Sequence, residues 1–533
     1  MNIDDLAKIA SDGKMDRRDF IKKAAALGLA APFATSLLSQ SVHAATPKKG
    51  GRYIQGYGHG STTDSLDPGT YENDFTVGLG FTIYNYLTEL SNTGELIGEL
   101  AESFESDKTA KVWVFNLRKG VQFHNGKTMD ADDVIASINH HLGEDSKSAA
   151  KGVISDIESM KKNNQHEVQF TLKNGNADFP LILSDYHLAI MPAVDGKASW
   201  EKGIGTGGYI LESFEPGVRA TFKRNPNYFK SDRAHFDEIE MISLLDTTAR
   251  QNAVMNGEVH SIDSVDPKTV HLLKRVKSIN ILETTGTLHY TFPMRVDAAP
   301  FDNYDLRMAL KLSVDREELV NKILLGHGAI GNDHPISTAN RYHNSEMPQR
   351  VYDPDKARFH LKKAGMEGIT VDLSSSDAAF AGAVDAALLI KDSASKSGIN
   401  VNVVREPKDG YWSNVWNKKG WCACYWGGRP SEDWAFISAY TNDTEWNDTA
   451  WKTGASADRF NKLVVMGRSE TNPVMRREIY NECQTLLNDD GGALIPMFAN
   501  YILALDNKLA HHQEVAGNWS YDGNRASERW WFA

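Results

Sequence analysis

The apolar positions of this chain fall mostly into short runs of period two, separated by glycine, proline and asparagine turns. Residues 111–117 alternate, with Trp113, Phe115 and Leu117 on one face and Val112 and Val114 on the other, which predicts a strand. Val168, Phe170 and Leu172 mark another, and residues 52–56 start one after a Lys48-Lys49-Gly50-Gly51 linker. Residues 209–214 and 219–224 flank the turn Glu215-Pro216-Gly217, and residues 238–245 predict a further strand. The Asn125-Gly126 pair predicts a hairpin turn. After it, Asp130 is placed to cap a helix whose apolar face is Val134, Ile135, Ile138 and Leu142.

The second half mixes both periods. Residues 300–326 read as a turn followed by a helix. Tyr352-Asp353-Pro354-Asp355 opens a helix with proline in its first turn, and Gly365 closes it. Strand-like residues 370–374 and 400–405 bracket a helical stretch at 378–396, the order of a parallel α/β unit. The apolar residues 495–505 suggest a strand running back toward the first half.

Residues 203–263 carry the most specific pattern. In order they hold Gly205-Thr206-Gly207-Gly208-Tyr209, Glu215-Pro216-Gly217, Arg224-Asn225-Pro226-Asn227-Tyr228, Asp237-Glu238-Ile239, Ala249-Arg250 and Gly257-Glu258-Val259. This succession resembles the peptide, nickel and opine solute-binding proteins of ABC importers, and residues 99–142 are similar to the same family. The resemblance implies an α/β, two-lobed periplasmic-binding-protein fold of the large class, with the ligand in a cleft between the lobes. Lobe I would comprise residues 46–287 plus 499–533, with an inserted subdomain at about 76–200, and lobe II residues 288–498. It also implies a small-molecule or peptide ligand, an ABC permease as partner, no cofactor and a monomeric state.

Composition narrows the alternatives. The chain has 533 residues, enough for two or three domains, and a net charge of -12. That charge argues against nucleic acid, which needs a basic patch. Asp16-Arg17-Arg18-Asp19-Phe20 precedes an uncharged Ala- and Leu-rich stretch ending at Val42-His43-Ala44. This reads as a twin-arginine (Tat) signal peptide over residues 1–44, which makes the Tat machinery an export partner and the periplasm the destination. Three cysteines, Cys422, Cys424 and Cys483, make no disulfide framework.

Two motifs lose their sharper meaning in context. Gly203-Ile204-Gly205-Thr206-Gly207-Gly208 fits a dinucleotide string but leads into a strand rather than opening a helix, so a turn at the lobe junction is the better account. The adjacent pairs His140-His141 and His511-His512 point to different sides of their elements and read as solvated surface residues rather than metal ligands. No nucleophile elbow, metal-protease motif or P-loop is visible. A metal-complex receptor and an exported enzyme stay open as alternatives.

The ligand site is sought where tryptophans crowd. Residues 411–451 hold Trp412, Trp416, Trp421, Trp426, Trp434, Trp446 and Trp451, seven of the chain's twelve. Packing and cleft lining share them, with Trp426 first among those facing the cleft. In peptide-binding relatives the stretch matching Gly420-Trp421-Cys422-Ala423-Cys424 ends in an aspartate that anchors the ligand's ammonium. Here Cys424 replaces it, and Asp433 or Glu432 is a possible substitute. Arg295 stands where relatives often carry asparagine, and Lys418 where an oligopeptide-binding relative places a carboxylate-binding arginine. With Arg429 these bases lean the reading toward an anionic, peptide-like or opine-like ligand. Tyr425 and Ser61 complete the candidate contacts.

Overall fold

The computed structural model describes residues 47–533 apart from 144, 145, 147, 149, 408–410, 428 and 430, and Ser413 by its backbone alone. The signal segment expected at residues 1–44 lies outside the described residues. No described helix is long and apolar enough to cross a membrane.

The alternating runs become strands of three principal sheets. Val112–Leu117 buries Trp113, Phe115 and Leu117, as its period predicts, in a four-stranded sheet with Ala101–Ser106, Ile157–Asn164 and Glu167–Leu172. Asp130 accepts from the amides of Asp132 and Asp133, and Asp133 accepts from the Asp130 amide, so a reciprocal capping box starts the helix Ala131–Leu142 that covers this sheet.

A seven-stranded sheet forms the centre of the first lobe. Its order is Tyr209–Glu215, Arg219–Arg224, Glu238–Ser243, Arg52–Tyr57, Ser261–Ile262, Tyr501–Asp506 and Ile279–Thr284. Arg52–Tyr57 runs parallel to both of its neighbours. The RNPNY segment is scaffold: Asn225 Nδ2 donates to Gly207 O at 3.0 Å and the Tyr228 hydroxyl to Glu528 Oε1 at 2.6 Å. Beside it Glu89, Glu99 and Glu528 are fully buried and balanced by Lys230, Arg525 and Arg529, with contacts of 2.6 to 2.8 Å. Removing one partner would leave an uncompensated buried charge, which makes the network obligatory once formed.

The glycine string sits inside this lobe, not at the junction of lobes. Gly207 N donates to Ile83 O at 2.8 Å, and His124 Nε2 contacts Gly207 O at 3.0 Å. A Cβ on Gly205 would stand 2.1 Å from Ile83 O. Close backbone approach to the end of the helix Asp74–Ile83 is what demands glycine here.

The second lobe is built on the sheet Gly328–Ile330, Met497–Ala499, His289–Thr291 and Cys424–Trp426. Thr370–Ser375 and Asn400–Arg405 pair in parallel around the helix Ala383–Ser395, and Ser374 bridges to Cys422. The chain crosses between the sheets at residues 284–289 and 499–501.

The two lobes touch. Arg476 binds Asp178, Arg468 Nη1 lies 3.2 Å from Asp156 Oδ2, and Ala177 N donates to Arg468 O at 2.8 Å. Near the crossings, a Cβ on Gly427 would stand 3.0 Å from the Trp519 ring. This is a closed arrangement.

Candidate functional site

Cys424–Trp426 is the edge strand of the second sheet, paired with His289–Thr291 so that Tyr425 stands opposite Tyr290 and Trp426 opposite His289. Strand alternation buries Cys424 and Trp426 and leaves Tyr425 exposed. The aromatic rings run on in a chain. Trp412 lies edge-on to Trp416 and Tyr425, Trp416 edge-on to Trp426, and Trp426 tilts against Trp446 at 6.1 Å.

Beneath this chain sits an acid that no local motif announces. Asp448 is buried, and its Oδ2 accepts the indole N–H of Trp416 and of Trp426, each at 3.1 Å. Burial pushes its carboxyl up to about 6 against those hydrogen bonds. Burial, then the neighbouring Asp448 charge, holds the Cys424 thiol well above its ordinary value, so it stays a neutral thiol.

A small cavity of about 10 Å3, room for roughly one water, lies between this strand and the first crossing in this closed arrangement. Thr287, His289, Asn340, Trp426, Arg429 and Tyr440 are among its walls. The Arg429 guanidinium lies 5.8 Å from the Trp426 ring centroid, a cation–π distance, and its Nε donates to Ser438 Oγ at 3.2 Å. Two wall residues keep buried polar atoms, Thr287 Oγ1 and His289 Nε2, that meet no hydrogen-bond partner among the described residues. His289 Nδ1 contacts Thr287 O at 3.1 Å, and burial lowers its imidazole to about 4, so it is neutral. From the first lobe, Trp519 and Tyr186 meet edge to face over Gly427.

Of the residues singled out in the sequence, the structure brings Trp426, Arg429 and Tyr425 together. It places the others elsewhere. Arg295 does not reach into the pocket: its Nη2 pairs with Asp297 at 2.8 Å and its Nη1 donates to Asn417 O and Oδ1. Lys418 is exposed on the turn after residues 411–414. Asp433 is buried against Arg468 Nε at 3.1 Å, where it braces a contact between the lobes. Glu432, also buried, accepts from the Tyr342 amide. Cys424 packs into the core with Tyr342 and Phe436. Ser61 holds a local turn, accepting from Thr63 N and donating its own amide to Asp64. The basic side chains behind the anionic expectation thus reduce to Arg429 at the pocket.

The paired histidines also differ from expectation. His141 is fully buried against Ser148 and His511 is buried beside Trp530, while His140 pairs with Asp67 at 2.8 Å. Helix and tail packing claims His140, His141 and His511, while His512 is exposed as expected.

Residues 95–448 match the family model for bacterial extracellular solute-binding proteins, family 5 middle. The chain is 28% identical over 372 residues to the di/tripeptide-binding protein 1 of Pseudomonas aeruginosa (strain UCBPP-PA14), covering 63% of this chain and 68% of that one. It is 26% identical over 453 residues to the dipeptide-binding protein of Escherichia coli (strain K12), covering 78% and 83%. Among solved structures, the fold is similar to the PBP AgaA in complex with agropinic acid from A. tumefaciens R10, with a TM-score of 0.77, 21% identity and coverage of 91% and 99%. DppA from Helicobacter pylori in complex with peptide STSA gives a TM-score of 0.77 at 18% identity, over 90% and 98%. The chain belongs to the family 5 bacterial extracellular solute-binding proteins and has their two-lobed α/β fold.

Proposed function

We propose that this protein captures a peptide or peptide-like solute between its lobes and delivers it to the membrane permease of an ABC importer. The observation that carries the reading is membership of the solute-binding family, whose relatives at 26% and 28% identity are named for di- and tripeptides. The small cavity at the crossing, beside Trp426 and Arg429, marks where the closed lobes meet. An aromatic wall supplies area and a few fixed polar groups supply orientation, the usual division of labour in a small-molecule site. Solute contacts to both lobes favour the closed form, and the permease reads that form. No chemistry on the solute is involved, and the transport energy comes from a separate subunit.

In this reading residues 1–44 are a Tat signal, removed after Ala44, and the protein works as a monomer in the periplasm. The lobes divide at residues 284–289 and 499–501, with the inserted sheet and its helix belonging to lobe I. An opine-like solute is the second reading, supported by Cys424 in place of the acid and by Arg429 over Trp426.

The test is native mass spectrometry of the protein as purified, followed by a thermal-shift screen of di- and tripeptides, opines and nickel–histidine complexes. Stabilisation by a peptide-like compound supports the proposal. Stabilisation by none of the first two classes removes it.

A further inference from the structure

The parallel strands Arg52–Tyr57, Glu238–Ser243 and Ser261–Ile262 point their carboxyl ends at the cleft, the edge of an α/β sheet where ligands bind. Three side chains meet at that edge. His59 follows the first strand, Asp263 directly follows the third, and Asp74 opens the helix Asp74–Ile83. His59 Nδ1 and one carboxylate oxygen each from Asp74 and Asp263 lie within 4.8 Å of one another. Yet they do not satisfy each other: His59 Nδ1 and Asp263 Oδ2 are 3.7 Å apart, beyond hydrogen-bond reach.

Unpaired acceptors gather around them. Asp263 is wholly buried, and while its Oδ1 accepts from Gly58 N at 2.6 Å, its Oδ2 has no hydrogen-bond partner among the described residues. Asn524 is buried with its Nδ2 3.5 Å from Asp74 Oδ1, and its own Oδ1 also lacks a partner. The buried Tyr57 hydroxyl is unpaired too. Buried polar atoms are normally paired, and a group of orphans around two carboxylates signals a missing positive partner. The contrast is the Glu89–Glu99–Glu528 cluster of the same lobe, where Lys230, Arg525 and Arg529 supply every charge. Arg250, buried beside Gly58, adds a positive charge here but gives its donors to the carbonyls of Leu244, Asp263 and Ser264, so the carboxylates gain no hydrogen bond from it.

We infer that His59, Asp74 and Asp263 form a cation subsite on the first-lobe floor of the cleft, which takes the positive group of the captured solute, an ammonium or a chelated divalent metal. The inference rests on the solute-binding reading proposed above. Its position suits the role, because the Asp74 charge is felt by the phenols of Tyr186 on its own lobe and of Tyr425 across the cleft. Acceptors around a tetrahedral ammonium stand roughly 4.6 Å apart when each hydrogen bond is about 2.8 Å. Around a metal with bonds of about 2.1 Å they stand roughly 3.4 Å apart. The separation of His59 Nδ1 from Asp263 Oδ2, 3.7 Å, stands nearer the metal value. An ammonium would have only the two carboxylates to accept its protons while His59 is protonated. Burial opposes a charge on His59, but Asp263 and Asp74 outweigh it and push the imidazole up to about 9, so a metal would have to displace that proton. The subsite puts on the first lobe the negative charge that Cys424 does not supply on the second.

The test uses the full chain stripped of bound solute, with calorimetry and thermal shift. The probes are alanyl-phenylalanine, its N-acetyl derivative, and nickel chloride alone and with histidine. Wild type is expected to prefer the free amine over the N-acetyl form at least tenfold, or to take up one metal per chain. Asp74→Asn and His59→Gln, at partly exposed positions, should abolish whichever is seen. Equal binding of both peptides with no saturable metal uptake overturns the subsite while leaving peptide capture standing. Metal uptake lost in the variants, with neither peptide bound, supports the subsite and removes peptide capture. Preference or uptake unchanged in both variants, or no binding of any probe, overturns the subsite. The free-amine comparison on wild type reads the outcome even where a variant fails to fold.

Discussion

Arg476 and Asp178 join the two lobes by a two-point ion pair, Nη1 to Oδ1 at 2.9 Å and Nη2 to Oδ2 at 2.5 Å. Arg476 belongs to the second-lobe helix Pro473–Asp489, and Asp178 precedes the first-lobe turn of helix Phe179–Ile182. Arg476 is buried, so the pair is shielded from salt more than a surface contact would be. With Arg468–Asp156 beside it, the pair acts only when the lobes are together.

Asp178→Asn is therefore expected to shift the population toward the open form. Small-angle scattering of the solute-free variant should give a larger radius of gyration. Affinity for whichever solute the screen returns should fall about tenfold, ~1.4 kcal/mol. Unchanged scattering and affinity would show that the pair does not bias closure.

Asp448 gives a pH prediction. Its carboxyl is held at about 6 in the folded chain, chiefly by burial, and near 3.8 when unfolded. Between those values the folded state holds a proton the unfolded state has lost. Its contribution to stability therefore declines as pH rises through that window and stays low above it. Asp448→Asn keeps an acceptor for the two indoles but cannot titrate. Denaturant unfolding at pH 4 and pH 7 should show the variant gaining on wild type by up to about 3 kcal/mol. A constant difference would refute the assignment.

The glycine string gives a stability prediction. Gly205→Ala would press its Cβ against Ile83 O and should cost at least about 3 kcal/mol, since backbone cannot yield as a side chain can. Gly143→Ala, where a Cβ meets no described residue within 4 Å and φ is -54°, should be close to neutral. Melting temperatures of the two variants compare them directly.

Two substitutions separate pocket from frame. Trp426→Ala removes a wall of the pocket and the stack under Arg429, and should weaken solute binding tenfold or more, about 1.4 kcal/mol. Arg295→Ala should change affinity less than about threefold and act instead on stability, because its donors serve Asp297 and Asn417. Calorimetry with one solute on both variants reads the difference.

Much of the fold was legible because its signals are local. Period-two runs fixed Val112–Leu117 and Arg219–Arg224, and Pro354 with Gly365 bounded a helix that ends in a left-handed Gly365 at φ 67°. Local reading overran elsewhere. The helix expected from residue 378 begins at Ala383, after Gly382 at φ 83°, and residues 495–505 split between two sheets. At the site, tryptophan density pointed to Trp426, but Arg295 misled because Asn417, which engages it, is remote in sequence. His59, Asp74 and Asp263 had no readable spacing: they converge only because two parallel strands end, and a helix begins, at one sheet edge.

The seven-stranded sheet seats Tyr501–Asp506 between Ser261–Ile262 and Ile279–Thr284, and Arg525 and Arg529 neutralise Glu89 and Glu99. A ribosome making this chain thus exposes an unfinished first lobe through the whole synthesis of the second. The acids at positions 89 and 99 stay short of two of their cations, and the strand pair on either side of residue 501 has no centre. The second lobe, continuous in sequence, can complete itself first. Maturation thus proceeds in reverse of chain order, and the first-made half is the one that most needs protection until synthesis ends.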